Sequence, residues 1–235
     1  MVKRYAIILA AGKSTRFKSD APKIMHRLCG KHMMLHVLDK LQDLQIEKTF
    51  LIVNQVTKEL MEVVSPYEVH FIEQTKQLGT GHALLAAASQ LKSLTGTLLV
   101  LCANTPLIRV KTLQQILETC ETQGTDQVVL TTSLSNPSGY GRILRDTNGK
   151  AIDIIEEKEI SNEQATIHEI NTGVICLKIP SLLKGLPHLT PSEQSGEYYL
   201  TDLFRILLDQ GKKVTTLTTD YPDEALGVNN REQLS

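Results

Sequence analysis

The sequence predicts an open α/β fold, a mostly parallel sheet with helices on both faces, and three observations carry that expectation. Short apolar runs alternate with amphipathic ones through the first half, a small-residue loop follows the first run directly, and the pattern changes after residue 135. A strand apolar at successive positions is buried on both faces. Where such strands alternate with helices, a parallel sheet between two helical layers buries them all.

Taken in order, strands are expected at residues 5–9, 49–53, 69–72, 97–102 and 127–132, and helices at 33–44, 57–64, 81–91 and 110–122. Ligands of such sheets bind beyond the carboxyl ends of the strands. Residues 10–16, 74–80 and 103–106 therefore fall on one rim. Beyond 135, residues 141–146 and 151–155 flank Asn148-Gly149 and read as a hairpin closed by a type I′ turn. A strand at 170–177, a loop holding Pro187 and Pro191, a helix near 199–210 and a strand near 213–219 follow. Repeats, low-complexity segments and an interdomain linker are absent from the sequence, so one domain is expected over 1–235. It divides into parts 1–134 and 135–235, the second covering the rim from one side.

The 235 residues are 41% hydrophobic, enough for one sizeable core. Lysine and arginine number 25 against 26 acidic residues, a net charge of −1, which gives no global field for nucleic acid or an anionic membrane. Phosphate must then be held by a few placed groups. Cys29, Cys102, Cys120 and Cys176 are widely spaced, which fits a reduced, cytoplasmic protein better than zinc or a disulfide framework. The longest apolar runs, 5–11 and 98–103, are far too short to span a bilayer. Lys3 and Arg4 precede the first, but Lys13, Arg16 and Lys18 follow at once, so it reads as a buried strand rather than a signal peptide. The seven histidines lack close metal-like partners and read as surface or satisfied core residues.

Leu9-Ala10-Ala11-Gly12-Lys13-Ser14-Thr15-Arg16 follows the first strand. A P-loop needs a glycine where Ile7 stands, and no Gly-x-Gly-x-x-Gly follows the strand, so both readings fail. What remains is a small-residue loop that lets a nucleotide approach the backbone, with cations at Lys13, Arg16 and Lys23. Extended to Pro22-Lys23, this run resembles the signature of sugar-1-phosphate nucleotidylyltransferases. Five more blocks follow in order: Gln77-Leu78-Gly79-Thr80-Gly81-His82-Ala83, Pro137-Ser138-Gly139-Tyr140-Gly141-Arg142-Ile143, Glu169-Ile170-Asn171-Thr172-Gly173, Gly196-Glu197-Tyr198-Tyr199-Leu200-Thr201-Asp202 and Gly227-Val228-Asn229-Asn230-Arg231. Together they resemble the uridylyltransferase half of the bacterial bifunctional family that makes UDP-N-acetylglucosamine, a cell-wall precursor.

That resemblance implies a Rossmann-like nucleotide-diphospho-sugar transferase fold with a small β-rich sugar-binding elaboration. It implies UTP and N-acetylglucosamine 1-phosphate as substrates, Mg2+ as cofactor, and no nucleic-acid or membrane partner. Leu9, Ala10, Ala11, Gly12, Gln74, Gly79, Thr80 and Ala103 would contact the nucleotide, with Lys23 on the α-phosphate and Arg16 steadying the departing pyrophosphate. Long cations suit those places because the attacked phosphorus and the leaving group both concentrate negative charge. Gly141, Glu156, Asn171, Tyr199 and Thr201 would contact the hexosamine, although Glu157 adjoins Glu156 and a one-residue slip exchanges them. The metal ligands would be the residue at 104 and Asn229. Here the chain departs from the family: Ala103-Asn104-Thr105-Pro106 stands where Gly-Asp-x-Pro is usual, so position 104 carries an amide instead of a carboxylate. Ser14 stands where glycine is common, a minor change. The family's acetyltransferase half, a hexapeptide-repeat β-helix, has no counterpart in this sequence. The family trimer belongs to that half, so the resemblance implies no oligomeric state. Two alternatives stay open: a uridylyltransferase for another sugar 1-phosphate, and a catalytically weakened nucleotide-sugar-binding homologue.

Overall fold

The computed structural model describes residues 2–12 and 23–228, for Lys23 the backbone alone. Its main sheet has strands β1 (Arg4–Leu9), β4 (Lys48–Val53), β5 (Val69–Glu73), β6 (Thr97–Cys102), β7 (Gln127–Ser133), β10 (Glu169–Lys178) and β11 (Val214–Thr218). They lie in the order β11-β7-β10-β6-β1-β4-β5. Strands β2 (Arg27–Leu28) and β3 (Lys31–His32) make a small separate hairpin. Strands β8 (Arg142–Arg145) and β9 (Ala151–Ile155) form a second hairpin that joins the sheet where Arg142 pairs with Ile170.

The expected parallel pairs form, with β1 between β4 and β6 and β11 beside β7. Strand β10 is the departure, because it runs antiparallel between β6 and β7. Its apolar composition shows that it is buried, but strand direction depends on the connections around it.

Alternation along each strand builds two cores. In β1, Tyr5 and Ile7 face a layer that includes α3 (Thr80–Leu91), α5 (Ile179–Gly185) and α6 (Asp202–Asp209). Ala6 and Ile8 face α1 (Met33–Gln42), α2 (Lys58–Val64) and α4 (Val110–Thr122) on the other side. Two local expectations need correction. Part of the region expected as a proline-bearing loop is helical: α5 starts at Ile179 and holds Pro180 in its first turn, where a proline's missing N–H costs nothing, and a 3-10 turn over Leu186–His188 follows. The β8–β9 connection is not a type I′ turn, since Gly149 (φ +78°) has a positive φ and Asn148 does not. Asp146 decides the shape: its carboxylate accepts from the Asn148 and Lys150 amides, both at 2.9 Å, while its carbonyl accepts from Gly149 N–H at 2.9 Å.

Candidate functional site

The rim starts where the parallel strands stop. Ladder bonding runs one residue beyond each strand: Ala10 N–H donates to Ile52 O (2.8 Å), Gln74 N–H to Val53 O (2.7 Å) and Ala103 N–H to Leu9 O (3.0 Å). Leu9, Ala10, Gln74 and Ala103 are therefore fixed by the sheet and sit at its carboxyl edge, with Ala11 buried next to them. Gly12 is exposed beside them. Arg16 and Asn229 lie outside the described residues, as does the side chain of Lys23, whose backbone opens a 3-10 turn.

Gln74 is only 4% exposed. Its amide nitrogen donates to Gly79 O (2.9 Å) and to His82 Nδ1 (3.1 Å). A carbonyl only accepts, so Gly79 fixes which way the amide is turned. Gly79 precedes α3 with φ +100°, and a Cβ there would lie 2.4 Å from Tyr198 O. The need for glycine comes from an incoming strand of backbone. Tyr198 N–H donates to Leu78 O (2.7 Å), Gly81 N–H donates to Tyr198 O (2.8 Å), and Leu200 N–H donates to Thr80 Oγ1 (3.0 Å). The block at 77–83 and the block at 196–202 are thus a single seam.

Beyond the seam, Thr201 Oγ1 donates to Glu156 Oε1 (2.8 Å) at the end of β9. Burial raises the Glu156 pKa, with Glu159 and Glu197 adding to it. Glu157 is engaged elsewhere, accepting from Arg142 Nη1 at 2.9 Å, and that arginine is 2% exposed. The two adjacent glutamates therefore have separate surroundings. Asn171 N–H donates to Gly141 O (2.9 Å), and Asn171 Oδ1 accepts from Gly173 N–H (3.0 Å) at a bulge in β10. Tyr199 is buried, with its hydroxyl 2.7 Å from Ser195 Oγ. Acidic groups crowd the start of α6, where the Asp202 pKa is pushed up to about 6 by burial and then by Glu159, Glu156 and Asp153.

The chain returns to the rim after β11. Asn104 Nδ2 donates to Val228 O (3.3 Å), Val228 N–H to Asn104 O (2.8 Å), and Gly227 N–H to Tyr140 Oη (3.2 Å). This puts Val228 directly against Asn104. The segment is anchored by Glu224, 4% exposed. Its carboxylate accepts from Arg109 N–H (3.1 Å), Arg109 Nε (3.0 Å), Thr112 Oγ1 (2.8 Å) and Thr219 Oγ1. Burial opposes its ionisation, but these donors outweigh it and hold the Glu224 pKa below the ordinary value. Arg109 also lies over the Tyr221 ring at 3.4 Å. Glu224 is accordingly a structural anchor. From sequence, His82 reads as a surface or satisfied core residue and Tyr140 carries no role of its own. Their partners are distant or unremarkable in type, which leaves no spacing to read. A groove lined by Lys48, His70, Gln90 and Leu94 lies at the opposite ends of β4 and β5, away from this rim.

Comparison with known proteins bears out the resemblance. Residues 6–158 match the family model described as MobA-like NTP transferase domain. The bifunctional protein GlmU of Clostridium tetani is 43% identical over 230 residues, covering 98% of this chain and 50% of that protein. GlmU of Shouchella clausii is 39% identical over 232 residues (99% and 51%). That of Geobacillus thermodenitrificans is 40% identical over 235 residues (100% and 51%). The chain spans about half the length of the curated relatives it matches. Among solved structures, CMP:2-keto-3-deoxy-manno-octonic acid synthetase complexed with CTP superposes with a TM-score of 0.72 at 16% identity, covering 99% of this chain and 95% of that one. At that identity the likeness establishes a common fold.

Proposed function

The chain belongs to the family of MobA-like NTP transferase domains, and from that premise we propose that it transfers the uridylyl group of UTP to N-acetylglucosamine 1-phosphate. An oxygen of the sugar phosphate attacks the α-phosphorus, the bond from that phosphorus to the bridging oxygen breaks, and pyrophosphate leaves with the electron pair. The products are UDP-N-acetylglucosamine and pyrophosphate. Catalysis of this kind rests on positioning and charge more than on covalent help.

The observation that carries the reading is the seam between residues 78–81 and 198–200. It joins the residues proposed for the nucleotide (Gln74, Gly79 and Thr80, with Leu9 to Gly12 and Ala103 nearby) to those proposed for the sugar (Gly141, Glu156, Asn171, Tyr199 and Thr201). Gln74 uses both amide hydrogens internally, so its Oε1 is the acceptor for the N3–H of uracil, which cytosine lacks. Lys23 and Arg16 are assigned the α-phosphate and pyrophosphate on the family pattern. For magnesium, Asn104 offers a hard, neutral oxygen of the type the ion accepts. Among the described residues no group of three His, Cys, Asp or Glu is placed to hold a metal. This donor set fits an ion carried mainly by the triphosphate, whose charge it would neutralise, with Asn104 and Asn229 beside it. No described helix is long and apolar enough to cross a membrane, and a cytoplasmic location follows from the proposed substrates.

Pyrophosphate release with UTP, magnesium and N-acetylglucosamine 1-phosphate tests the proposal. Turnover with glucose 1-phosphate at an equal or greater rate overturns the sugar assignment. A second reading, a nucleotide-sugar binder with weakened catalysis, is favoured by the amide at 104. Tight product binding without turnover would establish it.

A further inference from the structure

Resting on the proposed uridylyl transfer, we infer that Arg142 is a positioning residue for the sugar 1-phosphate: its buried guanidinium ties the 139–141 turn to the end of β9 and so sets the spacing of Gly141 and Glu156. The groups proposed for the hexosamine come from segments far apart in the chain. A polar pocket is only as selective as the spacing of such groups is fixed.

Arg142 stands where three of those segments meet. It opens β8 and pairs with Ile155 of β9 and Ile170 of β10. Arg142 and these two partners thus each adjoin a proposed sugar contact: Gly141, Glu156 and Asn171. The Arg142 side chain is buried, and Nη1 donates to Tyr140 O and to Glu157 Oε2 (2.9 Å). One nitrogen therefore holds the residue before Gly141 and the residue after Glu156. Between these anchors the backbone of Gly141 lies close against β9: a Cβ there would be 3.1 Å from Ile155 O and 3.7 Å from Glu156 Oε2. Thr201 Oγ1 donates to the other carboxylate oxygen of Glu156 at 2.8 Å. Glu156 is held directly by Thr201 and, through its chain neighbour, by Arg142.

Stability does not account for a cation at this place. Arg142 Nε is buried and has no hydrogen-bond partner among the described residues, and a buried donor left unpaired is costly. The Glu157 side chain is 37% exposed, so water screens the ion pair. An apolar side chain of similar length would be at least as favourable in such surroundings. What it would lose is the cross-link between the turn and β9. The guanidinium is engaged with protein groups and acts on the sugar through Gly141 and Glu156.

Arg142→Met keeps apolar bulk and removes the cross-link. Glu157→Ala removes one anchor, and Glu157→Gln keeps an oxygen in its place. Pyrophosphate release with each substrate varied in turn, and calorimetric binding of UDP-N-acetylglucosamine, are measured for the native protein, the three variants and the Arg142→Met, Glu157→Ala double variant, with thermal unfolding alongside. Arg142→Met should raise the KM for N-acetylglucosamine 1-phosphate about tenfold, the scale of one lost hydrogen bond to a charged group. The KM for UTP and kcat should change little, and the melting temperature should not fall. Glu157→Ala should raise the same KM about threefold and add nothing in the Arg142→Met background, while Glu157→Gln stays within about twofold of native. The Glu157 variants alter a partly exposed side chain and remain decisive if Arg142→Met does not fold. An unchanged sugar KM in Arg142→Met or in Glu157→Ala overturns the inference. So does a parallel loss in both KM values, kcat and melting temperature, which marks a purely structural role. A further loss on adding Glu157→Ala to Arg142→Met also overturns it, because Glu157 would then contact the sugar itself. Native protein that binds UDP-N-acetylglucosamine but releases no pyrophosphate defeats the proposed reaction and leaves the binding comparison to decide the role of Arg142. Native protein that does neither defeats both.

Discussion

At the scale of the residue, Asn104 stands where the resemblance implies a carboxylate, at the position proposed for magnesium. An amide keeps the shape of a carboxylate but removes a unit of charge beside a dication. At an effective dielectric near 20, two unit charges ~4 Å apart interact by about 4 kcal/mol before desolvation is subtracted. The structure adds an opposing contribution, because Asn104 Nδ2 donates to Val228 O at 3.3 Å and aspartate would set oxygen against oxygen there. Asn104→Asp should therefore lower the melting temperature without ligand, yet lower the half-saturating magnesium and raise turnover. A magnesium titration and a thermal scan of both proteins check the two signs, and an unchanged magnesium requirement would remove Asn104 from the metal site. Gly79 makes a simpler case. With φ +100° and a prospective Cβ 2.4 Å from Tyr198 O, Gly79→Ala has to break the seam or strain the backbone by about 1–3 kcal/mol. Denaturant unfolding should register that loss, accompanied by a raised KM for UTP.

At the scale of the element, the termini of α4 and α6 are where charge has been buried on purpose-built supports. Glu224 closes the space before α4 by accepting from Thr112, Thr219 and both the backbone and side chain of Arg109. Glu224→Ala leaves the Thr112 hydroxyl and the Arg109 amide without partners, a loss of about 2 kcal/mol. It also frees the segment that carries Val228 to Asn104. Equilibrium unfolding gives the first effect, and a weaker magnesium response gives the second. Asp202, the first residue of α6, works in the opposite sense. Its carboxyl is pushed up to about 6 by burial, then by Glu159, Glu156 and Asp153. The folded state holds this proton more tightly than the unfolded chain, so its stabilising contribution is complete below about pH 4 and is lost as pH rises through about 6. Asp202→Asn should thus gain in melting temperature over the native protein between about pH 5 and pH 7. The difference from an ordinary aspartate is worth at most about 3 kcal/mol, reduced by solvent screening. A gain that is flat across this range would show that the carboxyl titrates normally.

At the scale of the whole molecule, the proposed substrates bridge parts of the chain that are distant in sequence, so binding should stabilise the fold as a unit. UTP with magnesium at about a hundred times its dissociation constant contributes about 2.7 kcal/mol, read as a rise in melting temperature, and CTP at the same concentration should give less. The sequence by itself determined the element types and the rim: continuous apolar runs can be satisfied only by burial on both faces, and the six ordered blocks carry the family. It placed residues 10–16, 74–80 and 103–106 on one rim, because parallel strands end together, and the described ones that continue the ladder, Ala10, Gln74 and Ala103, lie there. It did not determine the direction of β10, which lies between β6 and β7 as an antiparallel strand, since apolar composition is the same read either way. Nor did it reveal α5, which lies in a proline-bearing stretch that reads as a loop, or the shape of the 146–150 loop, where the Asp146 carboxylate outweighed the preference of Asn-Gly. Only the tertiary structure brought Val228 against Asn104, Tyr198 against Gly79 and His82 against Gln74. The last two pairings place ordinary residue types together by close packing of separate segments, and such packing leaves no periodic trace along the chain.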